Sequence, residues 1–384
     1  MLELKRWSPP PGSVSRVGIV STFPPTRCGI GRFASSMVDA LAQFDPGLEI
    51  EVVRLVNGRT SSPVASRARM EIDPSSPVSI RAAGKHLGSC DIAVLQHEFG
   101  IYGAEDGAAV LDLATQIDAP KVAVLHTVLP EPTARQRSII ESLSMEATIV
   151  VLCESARDLL VSGYSVDDDA IEVIPHGTHW SPQQINHSPR RRLITWGLLG
   201  PGKGLERSIA AVAELRDLDP PLHYRIVGRT HPAVAAESGF RYRRSLERLV
   251  HSLDLSHMVE FIDRYVDDIE LFEMVRRSDV VVVPYDNHDQ VSSGVITEAV
   301  GMARPVVATR FPYAVEILGS GRGLAVDHDV LSVARGIREL VEDPVSYRDA
   351  ARAAALKSAE LSWDTVAERY SRLIHSLGPA RATA

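Results

Sequence analysis

One segment of the sequence combines glycines with a lysine in the manner of a phosphate-binding loop. The segment Gly197-Leu-Leu-Gly-Pro-Gly202-Lys203-Gly204 follows an apolar run and precedes a helical pattern. Glycines let the backbone approach a phosphate, the helix N-terminus contributes N–H groups, and the lysine contributes a full charge. Gly204 stands where a P-loop carries the Ser or Thr that binds magnesium. The segment predicts a phosphate site without that metal ligand; the alternative is a tight turn with an exposed lysine.

A second stretch of small residues, Ser292-Ser-Gly294, opens another helix that contains Glu298. Exposed amides at a helix start can hold a further phosphate. Glu298, one turn into that helix, can accept hydrogen bonds from two sugar hydroxyls. Because glutamate is usually exposed, a surface carboxylate is the alternative interpretation of Glu298 taken alone.

The loop of residues 21–31 also follows a strand pattern and opens a helix, so Gly29 and Gly31 can face phosphates. Gly29-x-Gly31-x-x-Ala34 imitates a dinucleotide-binding fingerprint but begins about nine residues beyond the strand. A dehydrogenase carries that fingerprint directly at the strand end, so this alternative is the weaker one. Cys28, within the loop, is interpreted as an inert thiol rather than a nucleophile.

Three histidines, His97, His126 and His176, stand where strand patterns end. A single histidine in such a place is usually structural, whereas three at equivalent strand ends predict a site. The spacings typical of a metal centre, HExxH or a close Cys/His cluster, are absent from the sequence.

The composition excludes several classes of protein. The 384 residues suit two or three domains at ~100–200 residues each. Lys+Arg number 41 and Asp+Glu 49, and this net charge of −8 argues against nucleic acid as a partner. No apolar run approaches the ~20 residues of a membrane span, and no signal-peptide segment is evident. The three cysteines, Cys28, Cys90 and Cys153, do not suit a disulfide framework and indicate a cytoplasmic location.

Short apolar runs alternate with helical patterns in two series, which predicts βαβ units and two buried parallel sheets. A polar stretch at residues 180–192, with Pro182 and Pro189, suits a linker between them. The predicted strands of the first series are 17–20, 91–95, 121–125, 148–152 and 171–174. Those of the second series are 193–196, 224–227, 259–262, 280–283, 306–309 and 323–326.

Three motifs occur in order along the second half of the sequence: Gly200-Pro-Gly-Lys203-Gly, Glu298-Ala and Gly301-Met-Ala-Arg-Pro305-Val. Taken together they resemble glycosyltransferase family 4, retaining enzymes of the GT-B fold that use nucleotide-sugar donors. The similarity extends from the Gly29–Gly31 loop to Ser362-Trp363, which resembles the start of the family's closing helix.

The resemblance implies an α/β GT-B fold with two Rossmann-like domains facing each other across a cleft. Residues 1–184, joined by a C-terminal helix at 362–384 that crosses back, would form the acceptor-binding domain. Residues 190–361 would form the nucleotide-sugar-binding domain.

The resemblance also implies roles for individual residues. Lys203, with Gly202, matches the lysine that binds the donor diphosphate, and Glu298 matches the second glutamate of the family's E-x7-E motif, which holds the ribose hydroxyls. His126 resembles the histidine that approaches the donor sugar. The remaining expected donor contacts are backbone amides, at Gly29, Gly31, Ser293, Gly294 and Val295. The expected acceptor contacts are Arg27, His97 and Glu98.

Two positions depart from the family pattern. Gln290 stands where the first glutamate of E-x7-E is expected, with Asp289 beside it. Both remain candidates for that role. Leu198 stands where the family often has an arginine, which leaves more of the phosphate charge to Lys203.

The expected activity is transfer of a hexose from a nucleoside diphosphate sugar to a hydroxyl acceptor, with retention and without a required metal. GDP-mannose is the favoured donor and UDP-glucose the rival; the acceptor is expected to be a saccharide or a small hydroxyl compound. No stable membrane insertion is expected, and a homodimer is left open. A GT-B nucleotide-sugar epimerase and a sugar phosphorylase are the alternatives.

Overall fold

The computed structural model describes residues 14–26, 28–56, 67–179 and 191–378. The chain divides into two compact units, Met1–Gly177 with Trp363–Ala384, and Thr178–Ser362. The predicted boundaries at residues 184 and 190 lie outside the described residues. The structure assigns Thr178, which precedes them, to the second unit.

The first unit is built on a parallel sheet of seven strands in the order β3-β2-β1-β4-β5-β6-β7. The strands are β1 Arg16–Ser21, β2 Glu49–Leu55, β3 Ala68–Ile72, β4 Ile92–His97, β5 Lys121–Leu125, β6 Thr148–Val151 and β7 Ile171–Val173. The helices are α1 Gly29–Phe44, α2 Pro77–Leu87, α3 Ala104–Gly107, α4 Ala109–Ala114, α5 Ala134–Glu146, α6 Glu154–Gly163 and, from the chain's end, α15 Trp363–Leu377.

The second unit is built on a parallel sheet of six strands in the order β10-β9-β8-β11-β12-β13. The strands are β8 Arg192–Trp196, β9 His223–Val227, β10 Val259–Ile262, β11 Val280–Val283, β12 Val306–Thr309 and β13 Gly323–Val326. The helices are α7 Leu205–Ala213, α8 Pro232–Ser238, α9 Arg241–Ser252, α10 Asp268–Arg276, α11 Gly294–Gly301, α12 Pro312–Leu318, α13 Val330–Glu342 and α14 Pro344–Ser358. Together with the first sheet, this confirms the predicted α/β fold class.

Two strands of the first unit were missed by the sequence analysis, β2 and β3. β2 alternates charged and apolar residues at its start, and β3 carries Arg69 and Glu71 at the sheet edge. Neither segment is the continuous apolar run that marks the central strands, since both carry charged residues. Only β3 is an edge strand, with a neighbour on one side.

The C-terminal helix α15 completes the first unit by packing on α1. Trp363, Tyr370 and Ile374 of α15 lie in one apolar cluster with Phe33 and Met37 of α1. At the end of α1, Asp45 Oδ2 accepts hydrogen bonds from Ser371 Oγ at 2.9 Å and from His375 Nε2 at 2.8 Å. The helix is therefore held by apolar packing along its length and by buried polar bonds at its end.

Each sheet has one point at which the winding of the chain reverses. In the first unit this point lies between β1 and β4, and in the second between β8 and β11. Open parallel sheets bind ligands at the carboxyl ends of such neighbouring strands. The loops after these four strands are therefore the places to look for a site.

Candidate functional site

The loop of residues 197–204, which connects β8 to α7, has a backbone that only glycine accommodates well at several points. Gly197, Gly202 and Gly204 have φ angles of 130°, 86° and 61°. A Cβ added at Gly204 would lie 1.7 Å from the carbonyl oxygen of Pro284, which follows β11. The amide of Asp286 also donates to the Gly202 carbonyl oxygen at 2.9 Å. The loops after β8 and β11 are thus packed backbone against backbone at the switch point.

Lys203 projects from this loop onto an aromatic ring. Its Nζ lies 4.2 Å from the centroid of Tyr285, and that ring stacks on Phe311 with centroids 5.7 Å apart. Tyr285 is buried, so its position is set by the core. In the part of the chain that the structure describes, no carboxylate pairs with Lys203. Its charge therefore remains available for an anion, and the ring face restrains where that charge lies.

The N-terminus of α11 lies after the neighbouring strand, β11. Ser293 caps the helix: its hydroxyl accepts from the Ile296 amide at 3.3 Å, and its carbonyl oxygen accepts from the Thr297 amide at 3.0 Å. The amides of Gly294 and Val295 have no acceptor among the described residues. Free amides at a helix start, with the positive end of the helix dipole, suit a phosphate.

Glu298 is buried, so the interpretation as an exposed helix carboxylate is wrong. Its Oε2 accepts a hydrogen bond of 3.2 Å from the indole Nε1 of Trp196, the last residue of β8. The carboxylate of α11 is thereby directed toward the carboxyl end of β8. The two segments that meet at this switch point carry six of the predicted site residues: Gly202, Lys203, Ser293, Gly294, Val295 and Glu298.

Gln290 braces the loop that precedes α11. Its side-chain Nε2 donates to the carbonyl oxygen of Ser292 at 2.6 Å. Its main-chain carbonyl oxygen accepts from the backbone amide of Tyr313 at 3.3 Å. Asp289 is exposed. The amide side chain at position 290 therefore holds the backbone beside the capping residue Ser293.

Replacing Gln290 with glutamate should reduce transfer even though the family often carries glutamate there. A carboxylate cannot donate to the Ser292 carbonyl oxygen, and two acceptors would then face each other. We expect kcat to fall by about tenfold, on the scale of one lost hydrogen bond of ~1.5 kcal/mol. Asp289→Asn is the matched control and should change kcat little. A larger effect from Asp289→Asn than from Gln290→Glu would assign the role to Asp289.

The first unit presents a different loop, between β1 and α1. Cys28 caps α1 by accepting from the Gly31 amide at 3.2 Å, and its sulfur lies 3.1 Å from Thr22 Oγ1. A Cβ at Gly31 would lie 3.3 Å from both that sulfur and the Thr22 carbonyl oxygen, whereas Gly29 faces open space. Arg27 lies outside the described residues.

Arg54 supports this loop and was missed by the sequence analysis. It is the penultimate residue of β2, and its side chain is 3% exposed. Its Nε donates to the Phe23 carbonyl oxygen at 3.1 Å, a terminal nitrogen donates to Thr26 Oγ1 at 2.9 Å, and another pairs with Glu71 at 2.6 Å. A buried arginine in an unrecognised strand gives no local sequence signal, because its partners come from separate segments.

Two of the predicted histidines contact the ring of Phe33 in the first unit. The His126 and His176 rings lie 4.8 Å and 5.0 Å from the Phe33 ring, centroid to centroid. His126 Nε2 donates to Gln96 Oε1 at 2.7 Å, and burial, with His176 and His97 nearby, lowers the pKa of His126 to about 3. Burial likewise lowers the pKa of His176 to about 4. Both imidazoles are therefore neutral at pH 7.

His97 and Glu98 are less accessible than side chains that contact an acceptor would be. His97 has no exposed surface and lies against the rings of Phe99 and Tyr102. Burial lowers the pKa of His97 to about 4. The Glu98 carboxylate accepts from the Gly100 amide at 2.8 Å within its own loop.

The buried histidines should make the first unit sensitive to acid. Because their pKa values in the folded chain lie below the ordinary value of 6.5, the unfolded chain binds more protons between about pH 6.5 and 4. Stability is therefore present above pH 6.5 and is lost as the pH falls toward 4. The free energy of unfolding of the unaltered protein should fall between pH 7 and pH 5.5. In His97→Phe this fall should be smaller by about 1 kcal/mol. Urea unfolding at both pH values measures this fall, and replacement of the exposed His257 by Phe is the control. The same fall in His97→Phe as in the unaltered protein would contradict the prediction.

The described residues contain neither a candidate metal centre nor a candidate membrane-spanning helix. No group of three or more His, Cys, Asp or Glu side chains in those ranges could hold a metal ion. No helix among them is long and apolar enough to cross a membrane.

Comparison with known proteins finds one family that resembles the second unit. Residues 179–357, which include the loops after β8 and β11, match the family model described as glycosyl transferases group 1. The second unit of the chain is therefore similar to the glycosyl transferases group 1. The resemblance seen in the sequence is thereby confirmed, while the roles expected of individual site residues stay predictions.

Curated relatives match part of the length of this chain. A D-inositol 3-phosphate glycosyltransferase of Corynebacterium diphtheriae is 29% identical over 258 residues, 62% of this chain and 58% of that protein. One of Pseudarthrobacter chlorophenolicus is 28% identical over 287 residues, 68% of this chain and 66% of that protein. The matched region therefore spans less than two thirds of these relatives.

Solved structures share the GT-B fold over nearly all of the chain. Sucrose-phosphate synthase from Thermosynechococcus elongatus has a TM-score of 0.75 at 17% identity, covering 94% of this chain and 99% of that one. HepE of Anabaena in complex with UDP-glucose has a TM-score of 0.73 at 16% identity, covering 94% and 100%. At these identities the likeness establishes the fold alone.

Proposed function

We propose that this protein transfers a hexose from a nucleoside diphosphate sugar to a hydroxyl acceptor, with retention at the anomeric carbon. One observation carries the proposal. Lys203, which has no carboxylate partner among the described residues, and the buried carboxylate of Glu298 belong to two adjoining segments at one switch point. The amides at the start of α11, which have no acceptor within the same ranges, lie on the second of these segments. This set provides donors for a diphosphate and an acceptor for ribose hydroxyls.

The chemistry required of the protein is stabilisation of the leaving diphosphate. Negative charge develops on its oxygen as the sugar bond breaks, and Lys203 with the α11 amides would meet that charge with groups already in place. Glu298 would accept from the ribose hydroxyls. A same-face reaction, in which the departing phosphate takes the acceptor's proton, accounts for retention without a protein nucleophile.

His126 fits a role as a neutral hydrogen-bonding partner of the donor sugar. Its lowered pKa keeps the ring uncharged, and the bond to Gln96 fixes the ring's orientation. A neutral imidazole can bind a sugar hydroxyl without adding a charge beside the anomeric centre.

The donor sugar is the next choice to test. The sequence favoured GDP-mannose, with UDP-glucose as the rival. HepE, which shares the fold, has been solved with UDP-glucose. We therefore place UDP-glucose first and GDP-mannose second. The curated relatives are named for D-inositol 3-phosphate, which makes this small phosphorylated polyol the first acceptor to try, followed by saccharides.

Nucleotide-dependent thermal shifts test the proposal most directly. UDP, GDP and ADP are compared first, and the sugar nucleotides of the best binder are then assayed for transfer, with the anomeric configuration of the product read by NMR. A transferred sugar with retained configuration supports the proposal. Binding of a sugar nucleotide followed only by its epimerisation would instead favour the epimerase alternative, and inversion would contradict retention.

Transfer should persist without a divalent metal. Gly204 replaces the metal-binding hydroxyl of a P-loop, and in the aspartate-rich turn at residues 167–169 the carboxylate of Asp168 pairs with Arg157 at 2.6 Å. Permanent groups, Lys203 and the α11 amides, would then neutralise the diphosphate. Initial rates after exhaustive EDTA treatment should stay within about threefold of those with magnesium, a difference of under ~1 kcal/mol in barrier. Complete loss in EDTA, restored by magnesium, would refute metal independence.

A further inference from the structure

Trp196 lies at the end of a strand of the second unit, directly before the candidate phosphate-binding loop of residues 197–204. It is the last residue of β8, and the next residue, Gly197, turns with a φ of 130°. The side chain is buried, and its indole Nε1 donates to Glu298 Oε2 across 102 residues of sequence. An indole N–H can only donate and an ionised carboxylate can only accept, so this bond has a single direction.

Glu298 needs such a partner because of the helix in which it stands. Its neighbours in α11 from Ile296 to Gly301 are buried and apolar, apart from Thr297. An ionised carboxylate in such surroundings is stable only where donors face it. The indole N–H donates to Oε2 from the end of β8. This bond restrains rotation of the carboxylate about the last side-chain bond of Glu298.

We propose that Trp196 is a positioning residue for recognition of the donor's ribose. Its N–H holds the Glu298 carboxylate in the orientation that accepts hydrogen bonds from the ribose hydroxyls. This inference rests on the proposed function. An acceptor that is already oriented loses less conformational freedom when the nucleotide binds, so the gain depends on the hydroxyls being present.

The dependence on hydroxyls separates positioning from simple support of the fold. Trp196→Phe keeps an aromatic ring and removes the N–H. Calorimetry measures the Kd of UDP and GDP for the full chain, together with the Kd of the 2′,3′-dideoxy form of whichever binds. We expect Trp196→Phe to weaken the ribonucleotide by about fivefold, on the scale of one hydrogen bond, and the dideoxy form by less than twofold. In a Glu298→Ala background, Trp196→Phe should cause no further change.

The chain offers a matched control in Trp363→Phe. Trp363 and Trp196 are each 7% exposed, but Trp363 lies in the first unit. Its replacement should leave both nucleotide affinities unchanged. Should Trp196→Phe fail to fold, 3-benzothienylalanine at position 196 keeps the shape of the ring system and replaces the N–H with sulfur. The same selective loss is then expected.

Two kinds of failure can be told apart. Equal weakening of the ribonucleotide and its dideoxy form would overturn the inference and leave the donor site intact, as would additive losses from Trp196→Phe and Glu298→Ala. Failure of the unaltered protein to bind either UDP or GDP would overturn the proposed function and this inference with it.

Discussion

Replacing Lys203 with alanine should weaken nucleoside diphosphate binding by roughly tenfold to a hundredfold while the fold is kept. Lys203 Nζ lies over the Tyr285 ring and is not paired with a described carboxylate, so its charge is available to the ligand. Hydrogen bonds to charged groups contribute ~1.5–3 kcal/mol, which sets the expected range. Calorimetric titration with UDP and GDP measures the change in Kd, and kcat/KM for the donor should fall at least as far.

The matched control for this change is Lys357→Ala. Lys357 lies in the same unit, on α14, where it forms a surface pair with Glu360. Surface pairs contribute little, so neither the stability nor the nucleotide Kd should change appreciably. Unchanged nucleotide binding in Lys203→Ala would remove the central element of the proposed donor site.

Replacing Gly204 with alanine should disrupt the second unit itself. The left-handed backbone at φ 61° costs an L-residue roughly 1–2 kcal/mol. The added Cβ would also lie 1.7 Å from the Pro284 carbonyl oxygen, a backbone atom held by β11, so the loops after β8 and β11 must separate. Overpacking of this kind costs roughly 1–3 kcal/mol more. We expect a total loss of about 2–5 kcal/mol in the free energy of unfolding, with loss of nucleotide binding, since Lys203 is the adjacent residue.

Gly321→Ala separates the two contributions. Gly321 has a φ of 79°, but a Cβ there would meet no atom within 4 Å. Its replacement should therefore show only the conformational cost and leave nucleotide binding unchanged. Urea unfolding of the two variants, followed by calorimetry, measures both effects. Equal losses of stability from Gly204→Ala and Gly321→Ala would mean that the close approach to Pro284 relaxes at no cost.

The sequence by itself determined the strands that form short apolar runs and the positions of the loops that follow them. The runs at 121–125, 280–283 and 306–309 coincide with the interior strands β5, β11 and β12, because a strand covered on both faces must be continuously apolar. The runs at 259–262 and 323–326 coincide with the edge strands β10 and β13. The glycines at residues 197–204 likewise indicated the tight loop between β8 and α7, since its backbone geometry requires glycine locally. Its binding of a phosphate stays a prediction. The edge strand β3 and its neighbour β2 lack that apolar signature and were not recognised.

The tertiary structure decided how the site residues are held. The burial of Glu298, its bond to Trp196, the Lys203–Tyr285 contact and the bracing of the β1–α1 loop by Arg54 each join residues from different segments. It also decided that Gln290 bonds to the Ser292 carbonyl oxygen. Periodicity and spacing report which face of an element is apolar and where the chain turns. They do not report which side chains meet once parallel strands bring distant loops to one edge of a sheet, because those contacts depend on the register and packing of the whole unit.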